Sequence, residues 1–148
     1  MSGNDGRQQS DGRQQIDGQH KNDGRSKTDG RKKLGAWGER VAATQLESEG
    51  YQIIARNWRC RHGEIDLIAQ AGELVLFVEV KTRRGRAMGT PEEGLTPTKS
   101  RKLIALAETY MAEHDLDADW RIDLVAVELD KSGKLLRCEH IPNAVLGW

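Results

Sequence analysis

Gly63-Glu64-Ile65-Asp66-Leu67-Ile68-Ala69-Gln70-Ala71-Gly72-Glu73-Leu74-Val75-Leu76-Phe77-Val78-Glu79-Val80-Lys81 is the stretch that decides the fold. It reads as two strands joined by a short glycine-containing turn, Gly63 to Gln70 and Glu73 to Thr82. Leu74 to Val80 is nearly continuous apolar sequence, the signature of a central strand covered on both faces. A buried strand seldom carries a carboxylate and a lysine together, because an ionised group out of water costs several kcal/mol unless it is paired or bound to metal. With Ala71-Gly72 taken as the two-residue loop, Glu64 falls opposite Glu79 and Asp66 opposite Phe77. Alternation then puts Glu64, Asp66, Glu79 and Lys81 on one face.

The flanking sequence completes an α/β order. Residues 34–49 read as a helix ending at Gly50, with Leu34, Trp37, Val41, Ala42, Ala43 and Leu46 on its apolar arc. Glu39 falls inside that arc, either needing a partner there or reaching past its edge to water. Tyr51 to Arg61 reads as the first strand, and residues 83–95 as a glycine-rich, charged loop. Thr96-Pro97 opens a second helix, hydroxyl at the N-cap and proline at N1, which runs to about His114. Trp120 to Leu129 and Leu135 to Ile141 are the last strands. The order α-β-β-β-α-β-β predicts a mixed sheet with helices packed on it.

Ahead of this domain, residues 1–33 repeat Asp-Gly with a period of six, at 5–6, 11–12, 17–18, 23–24 and 29–30. Ile16 is the only aliphatic residue between Met1 and Leu34. With so little to bury, the segment is expected to be a disordered tail preceding one domain at 34–148. Calcium-binding solenoids also use Asp and Gly, but they need an apolar residue in each repeat. A weak electrostatic arm suits the tail better, although its five aspartates oppose one.

Charge and cysteine content exclude several functions. The chain of 148 residues has a formal net charge of zero, hiding +3 in residues 1–33 against −3 in residues 34–148. Global charge therefore predicts no polyanion partner, and any such argument rests on local clusters. Cys60 and Cys138 are the only cysteines. They form no Cys-x-x-Cys motif, so a disulfide framework or zinc site is not expected and a reducing cytoplasm is. No apolar stretch approaches membrane-spanning length, so no membrane partner is expected. His62, His114 and His140 lack metal-ligand spacing. No Walker loop and no serine or cysteine nucleophile with a readable base is present.

What remains is the acidic strand pair. Magnesium takes hard oxygen ligands and keeps several waters, so one or two carboxylates suffice. Asp66 and Glu79 are the candidate ligands, with the carbonyl of Val80 as a third oxygen. Lys81 is placed to orient or deprotonate water and to stabilise developing negative charge. Glu39 is the candidate helix acid, holding a metal-bound water or a second ion. Glu64 has two readings, a ligand through water or an exposed strand start. Glu-x-Lys alone on a strand is usually a solvated ion pair; Asp66 at hairpin distance, an inward Glu39 and a buried strand tell against that here. Basic residues flank the acids: Arg59 and Arg61 before Asp66, Arg83, Arg84 and Arg86 after Lys81, and Lys99, Arg101 and Lys102 at the second helix start. Cations there oppose the helix dipole and make sense if phosphate binds at that terminus. Each of these taken singly is as readily ordinary solvated surface. Trp58 is expected in the core rather than stacked on a base.

Gly38-Glu39-Arg40, then Gly63-Glu64-Ile65-Asp66-Leu67-Ile68, then Phe77-Val78-Glu79-Val80-Lys81-Thr82-Arg83 resemble the bacterial YraN-like family. That family is similar to the archaeal Holliday-junction resolvases of the PD-(D/E)XK nuclease superfamily. The resemblance spans essentially all of residues 34–148. It implies a restriction-endonuclease-like fold, Mg2+ or Mn2+ as cofactor, and nucleic acid, DNA before RNA, as substrate. It also implies Glu39, Asp66, Glu79 and Lys81 as the catalytic set. Ile65 stands where the proline of the superfamily name often sits. The expected function is a divalent-metal-dependent endonuclease on structured nucleic acid in repair or recombination. The alternative is a catalytically inactive nucleic-acid-binding module of the same fold, because fold does not fix activity. A metal-free RNA endonuclease would need a His/Tyr/Lys constellation that cannot be assembled here. Cutting two symmetric strands would call for a homodimer.

Overall fold

The computed structural model describes residues 23–145, with side chains from residue 29. Helix α1 is Asp23–Ser48. Strands β1 (Gln52–Cys60), β2 (Gly63–Ala71) and β3 (Leu74–Arg84) follow, then a 3-10 turn at Glu92–Gly94 and helix α2 (Pro97–Glu113). Strands β4 (Trp120–Leu129) and β5 (Leu135–Ile141) complete a five-stranded sheet of order β1-β2-β3-β4-β5. Only β3 and β4 are parallel, joined by the α2 crossover; the other neighbours are antiparallel. The predicted α/β class and element order are those observed.

Two expectations are corrected. The first helix starts at Asp23 rather than 34, so residues 23–33 are helical where disorder was expected; residues 1–22 of the repeat lie outside the described residues. Arg25, Lys27, Arg31, Lys32 and Lys33 are good helix formers, and extending an existing helix avoids the cost of nucleation. Residues 29–33 are all exposed, so packing does not hold that part of the extension. The unit of residues 35–148 has its own core.

The second correction is the hairpin register. Ala71 pairs with Leu74, so the loop is Gly72-Glu73, with Gly72 at φ 59°. Ile68 faces Phe77, and continuing the register past Leu67↔Val78 sets Asp66 opposite Glu79. Moving the loop by one residue shifts the pairing by two, which preserves the parity that had put the acids on one face.

Two layers cover the sheet. Leu103, Leu106, Ala107, Tyr110 and Met111 of α2 bury against Val75, Phe77, Ile68 and Ile122, and Tyr110 meets Trp58 and Phe77 edge to face. Trp58 is thus a core residue, as expected. On α1, Ala42, Ala43 and Leu46 are fully buried. Gly38 is buried because α1 lies against Thr82 of β3: an added Cβ would overlap the Thr82 hydroxyl. That close approach, available only to glycine, is what brings Glu39 to the end of the sheet. Among the described residues no helix is long and apolar enough to cross a membrane.

Candidate active site

Strands β2 and β3 part where the acids sit. Their ladder ends at Leu67↔Val78, while β2 stays paired to β1 as far as Cys60↔Gly63. Beyond the split, the Val80 N–H donates to Asp66 Oδ2 at 2.8 Å in place of a strand partner. The carboxylate therefore fills the gap between strands, accepting from the Val80 N–H.

Alternation fails at the same place. Ala55 and Trp58 of β1, and Ile65 and Ile68 of β2, all join the cluster beneath α2. A spacing of three cannot keep two residues on one face of a regular strand. The break centres on Asn57, at φ 50°, which the register sets opposite Asp66.

The charges at this break form a chain. Glu79, 4% exposed, pairs through Oε2 with Lys81 Nζ at 3.2 Å and Lys99 Nζ at 3.6 Å. Asn57 Nδ2 donates to Glu39 Oε1 at 3.0 Å and to Glu64 Oε2 at 2.9 Å, while Arg59 Nε lies 3.2 Å from Glu64 Oε1. Burial, then the charge of Glu79, pushes the Asp66 carboxyl up to about 8; Glu39 and Glu64 add to the rise and the Val80 N–H opposes it. Glu39, Asp66, Glu79 and Lys81 are thus brought to one end of the sheet, and Glu64 is a half-buried member of the group, not an exposed strand start.

This donor set suits a divalent ion in one respect. A carboxyl raised to about 8 by burial and by its acidic neighbours would be relieved by a nearby cation. The set is incomplete as an all-protein cage, since no group of three or more His, Cys, Asp or Glu among the described residues stands in ligating geometry. Two carboxylates, Asp66 and Glu79, match an ion that keeps most of its waters.

An open groove of about 600 Å³ leads to Asp66, lined by Arg59, Cys60, Arg61, His62, Gly63, Glu64, Lys99 and Lys102. Of the predicted phosphate contacts, Arg59, Arg61, Lys99 and Lys102 line it. Arg84 and Arg86 are elsewhere, Arg84 Nε donating to the Lys131 carbonyl at 3.0 Å and Arg86 lying 3.6 Å from Glu128. Arg101 turns back to Thr98. Arg83 donates to the Thr82 carbonyl, and its Nε is buried without a partner. Thr96 caps α2 by accepting from the Lys99 N–H at 3.2 Å. The anion that Lys99 meets through its ammonium is the Glu79 carboxylate.

Three features were not read from the sequence. Asn57 had a weak signal, asparagine being depleted in strands and tolerant of positive φ. The Lys99–Glu79 pair had none, since it depends on how α2 crosses β3. The third lies away from the site. Asp123, wholly buried, accepts from Arg121, from the Asn143 N–H and from His140 Nε2 at 2.7 Å. His140 Nδ1 lies 2.6 Å from Glu49, just beyond α1, and its ring meets Tyr51 edge on. These hydrogen bonds hold Asp123 below its usual range despite burial, and hold His140 above its own.

Fold and site together define an α/β protein with a cluster of acids and lysines where two central strands separate. Sequence comparison then places the chain. A family model described as "Uncharacterised protein family UPF0102" matches residues 38–127. A UPF0102 protein of Roseiflexus castenholzii is 46% identical over 115 residues, 76% of this chain and 93% of its own. That of Beutenbergia cavernae is 50% identical over 109 residues, 73% and 92% of the two chains. One from Symbiobacterium thermophilum is 51% identical over 113 residues, 76% and 95%. The chain belongs to the UPF0102 family, the YraN-like group.

Proposed function

We propose that this protein is a divalent-metal-dependent endonuclease acting on structured nucleic acid, DNA in repair or recombination, in the manner of the Holliday-junction resolvases. The observation that carries this reading is the meeting of Asp66 and Glu79 where β2 and β3 separate, with Lys81 and Lys99 on Glu79 and a basic groove leading in. An apolar sheet has no structural need for four carboxylates at one end, and burying them costs stability. The resemblance of the Gly63–Ile68 and Phe77–Arg83 segments to the PD-(D/E)XK superfamily supports the same reading.

Asp66 and Glu79 would hold Mg2+ or Mn2+, which would supply a nucleophilic water and neutralise charge at the phosphorus. The chain's own groups do the rest. Arg59, Arg61, Lys99 and Lys102 attract the phosphate backbone and set its path along the groove. Lys81, its ammonium beside Glu79, stabilises negative charge that develops on the phosphoryl oxygens. Glu39 and Glu64 orient water at the open side of the site.

A second reading has two observations in its favour: Lys81 and Lys99 both lie on Glu79, and among the described residues no group of three or more His, Cys, Asp or Glu has ligating geometry. In that reading the acids are neutralised by lysine, and the domain binds nucleic acid without cutting it. Purified protein incubated with labelled duplex, flap, single-stranded and four-way-junction DNA, with Mg2+, Mn2+ or chelator, separates the two. Metal-dependent cleavage of a structured substrate supports the enzyme. Tight binding with no cleavage under any metal supports the module.

A further inference from the structure

Asn57 differs from every other polar residue of the sheet in backbone and in side chain. Non-glycine residues with positive φ are Asn57, Asp115 and Asn143, and among the described residues only Asn57 lies inside a strand. Its left-handed conformation lets Ala55 and Trp58 both pack beneath α2. Its side chain is then free to reach the acids. Both hydrogen bonds come from one amide nitrogen, to Glu39 Oε1 on α1 and to Glu64 Oε2 on β2.

Few side chains meet both demands. Glycine accepts the backbone but offers no donor. Lysine and arginine would add charge and resist positive φ. Aspartate tolerates the backbone but would be a further carboxylate beside Glu39 and Glu64. Asparagine supplies two N–H donors from a neutral group and is among the residues that visit this region most readily.

We infer that Asn57 is a positioning residue of the acid site, its amide tying the helix acid Glu39 to Glu64 at the left-handed break in β1 opposite Asp66. This rests on the endonuclease reading for its consequence and on the geometry for the tie itself. The amide binds oxygens, not substrate, so it acts through the two carboxylates it holds. Loss of such a partner typically lowers metal affinity or activity by roughly 10–100-fold.

The test uses Asn57→Gly, which keeps the left-handed backbone and removes the amide, and Asn57→Ala, which removes the amide and also strains the backbone. Thermal unfolding of Asn57→Gly, Glu39→Ala and the double variant measures the tie without metal or substrate. The inference expects the double variant to lose less than the sum of the singles. Titration with Mn2+ by calorimetry, and single-turnover cleavage across Mg2+ concentrations, measure the positioning. Asn57→Gly is expected to fold, to need roughly tenfold or more metal for half-maximal rate, and to recover partly at high metal. Asn57→Gly that matches the parent in metal titration and metal dependence would overturn the positioning role. Additive unfolding shifts would overturn the tie. If the parent neither binds Mn2+ nor cleaves, the endonuclease reading falls, and the unfolding cycle alone still decides the Glu39 tie.

Discussion

At the scale of the residue, burial and charge pull against each other at Asp66. Its folded value of about 8 lies above the ordinary 3.8, so the folded state holds the proton more tightly than the unfolded chain. Stability contributed at this position is therefore fully present below about pH 4 and is lost as pH rises through 8. Asp66→Asn is expected to raise the melting temperature of the metal-free protein at pH 8 and to leave it little changed at pH 4. Parallel melting curves for parent and variant check this, and a variant less stable than the parent at pH 8 would contradict it. Lys81 separates enzyme from binding module. If it acts on developing charge, Lys81→Ala should hold substrate affinity within a few fold and slow the hydrolytic step by on the order of a hundredfold. If it only pairs with phosphate, affinity should fall and the salt dependence of binding should become shallower by about one ion. Binding titrations and single-turnover rates on the same junction distinguish these outcomes.

At the scale of the element, the buried set around Asp123 joins β4 and β5 to the segment after α1. His140 stands between Asp123 and Glu49, which favour its charged form against the cost of burial. Its value is raised above 6.5, so its contribution is fully present below about pH 6.5 and fades as pH climbs through the raised value. The shift at Asp123 is downward, so its contribution is present above 3.8 and disappears as pH falls below. His140→Gln is expected to destabilise most near pH 6 and less at pH 9, read from thermal unfolding across that range; an equal loss at both would show that charge is not involved. Nothing in the alternation of residues 120–129 announced this set, because its members come from three separate stretches of chain. The elements themselves were legible: Leu74 to Val80 is apolar enough to be read as the central strand, and Thr96-Pro97 marks its helix by cap chemistry. The hairpin register was not, because Ala71-Gly72 and Gly72-Glu73 are both acceptable loops and only cross-strand packing chooses. Its error moved Asp66 from Phe77 to Glu79 without moving either acid off the face. The break at Asn57 was only faintly marked, by an asparagine inside the strand and by Ala55 and Trp58 at a spacing of three.

At the scale of the whole molecule, the repeat and the domain make separate contributions. Residues 29–33 of α1 are exposed, and the unit of residues 35–148 carries its own core. Deleting residues 1–33 is expected to shift the melting temperature by no more than roughly 2 °C, since almost no apolar area goes with them. A larger loss would mean that the repeat packs on the domain; weaker binding of nucleic acid at unchanged stability would support an electrostatic arm. The domain gathers its acids at the open end of a sheet and its cations along the approach, which is the arrangement that a phosphodiester and a metal ion would require. Single-turnover incubation of the parent, Asp66→Asn and Glu79→Gln with one four-way DNA junction, with and without Mg2+, tests this most directly. The metal-site reading predicts cleavage by the parent in Mg2+ only, and none by either variant although both fold and bind the junction. Undiminished cleavage by either variant, or parent cleavage that survives chelation, would contradict it.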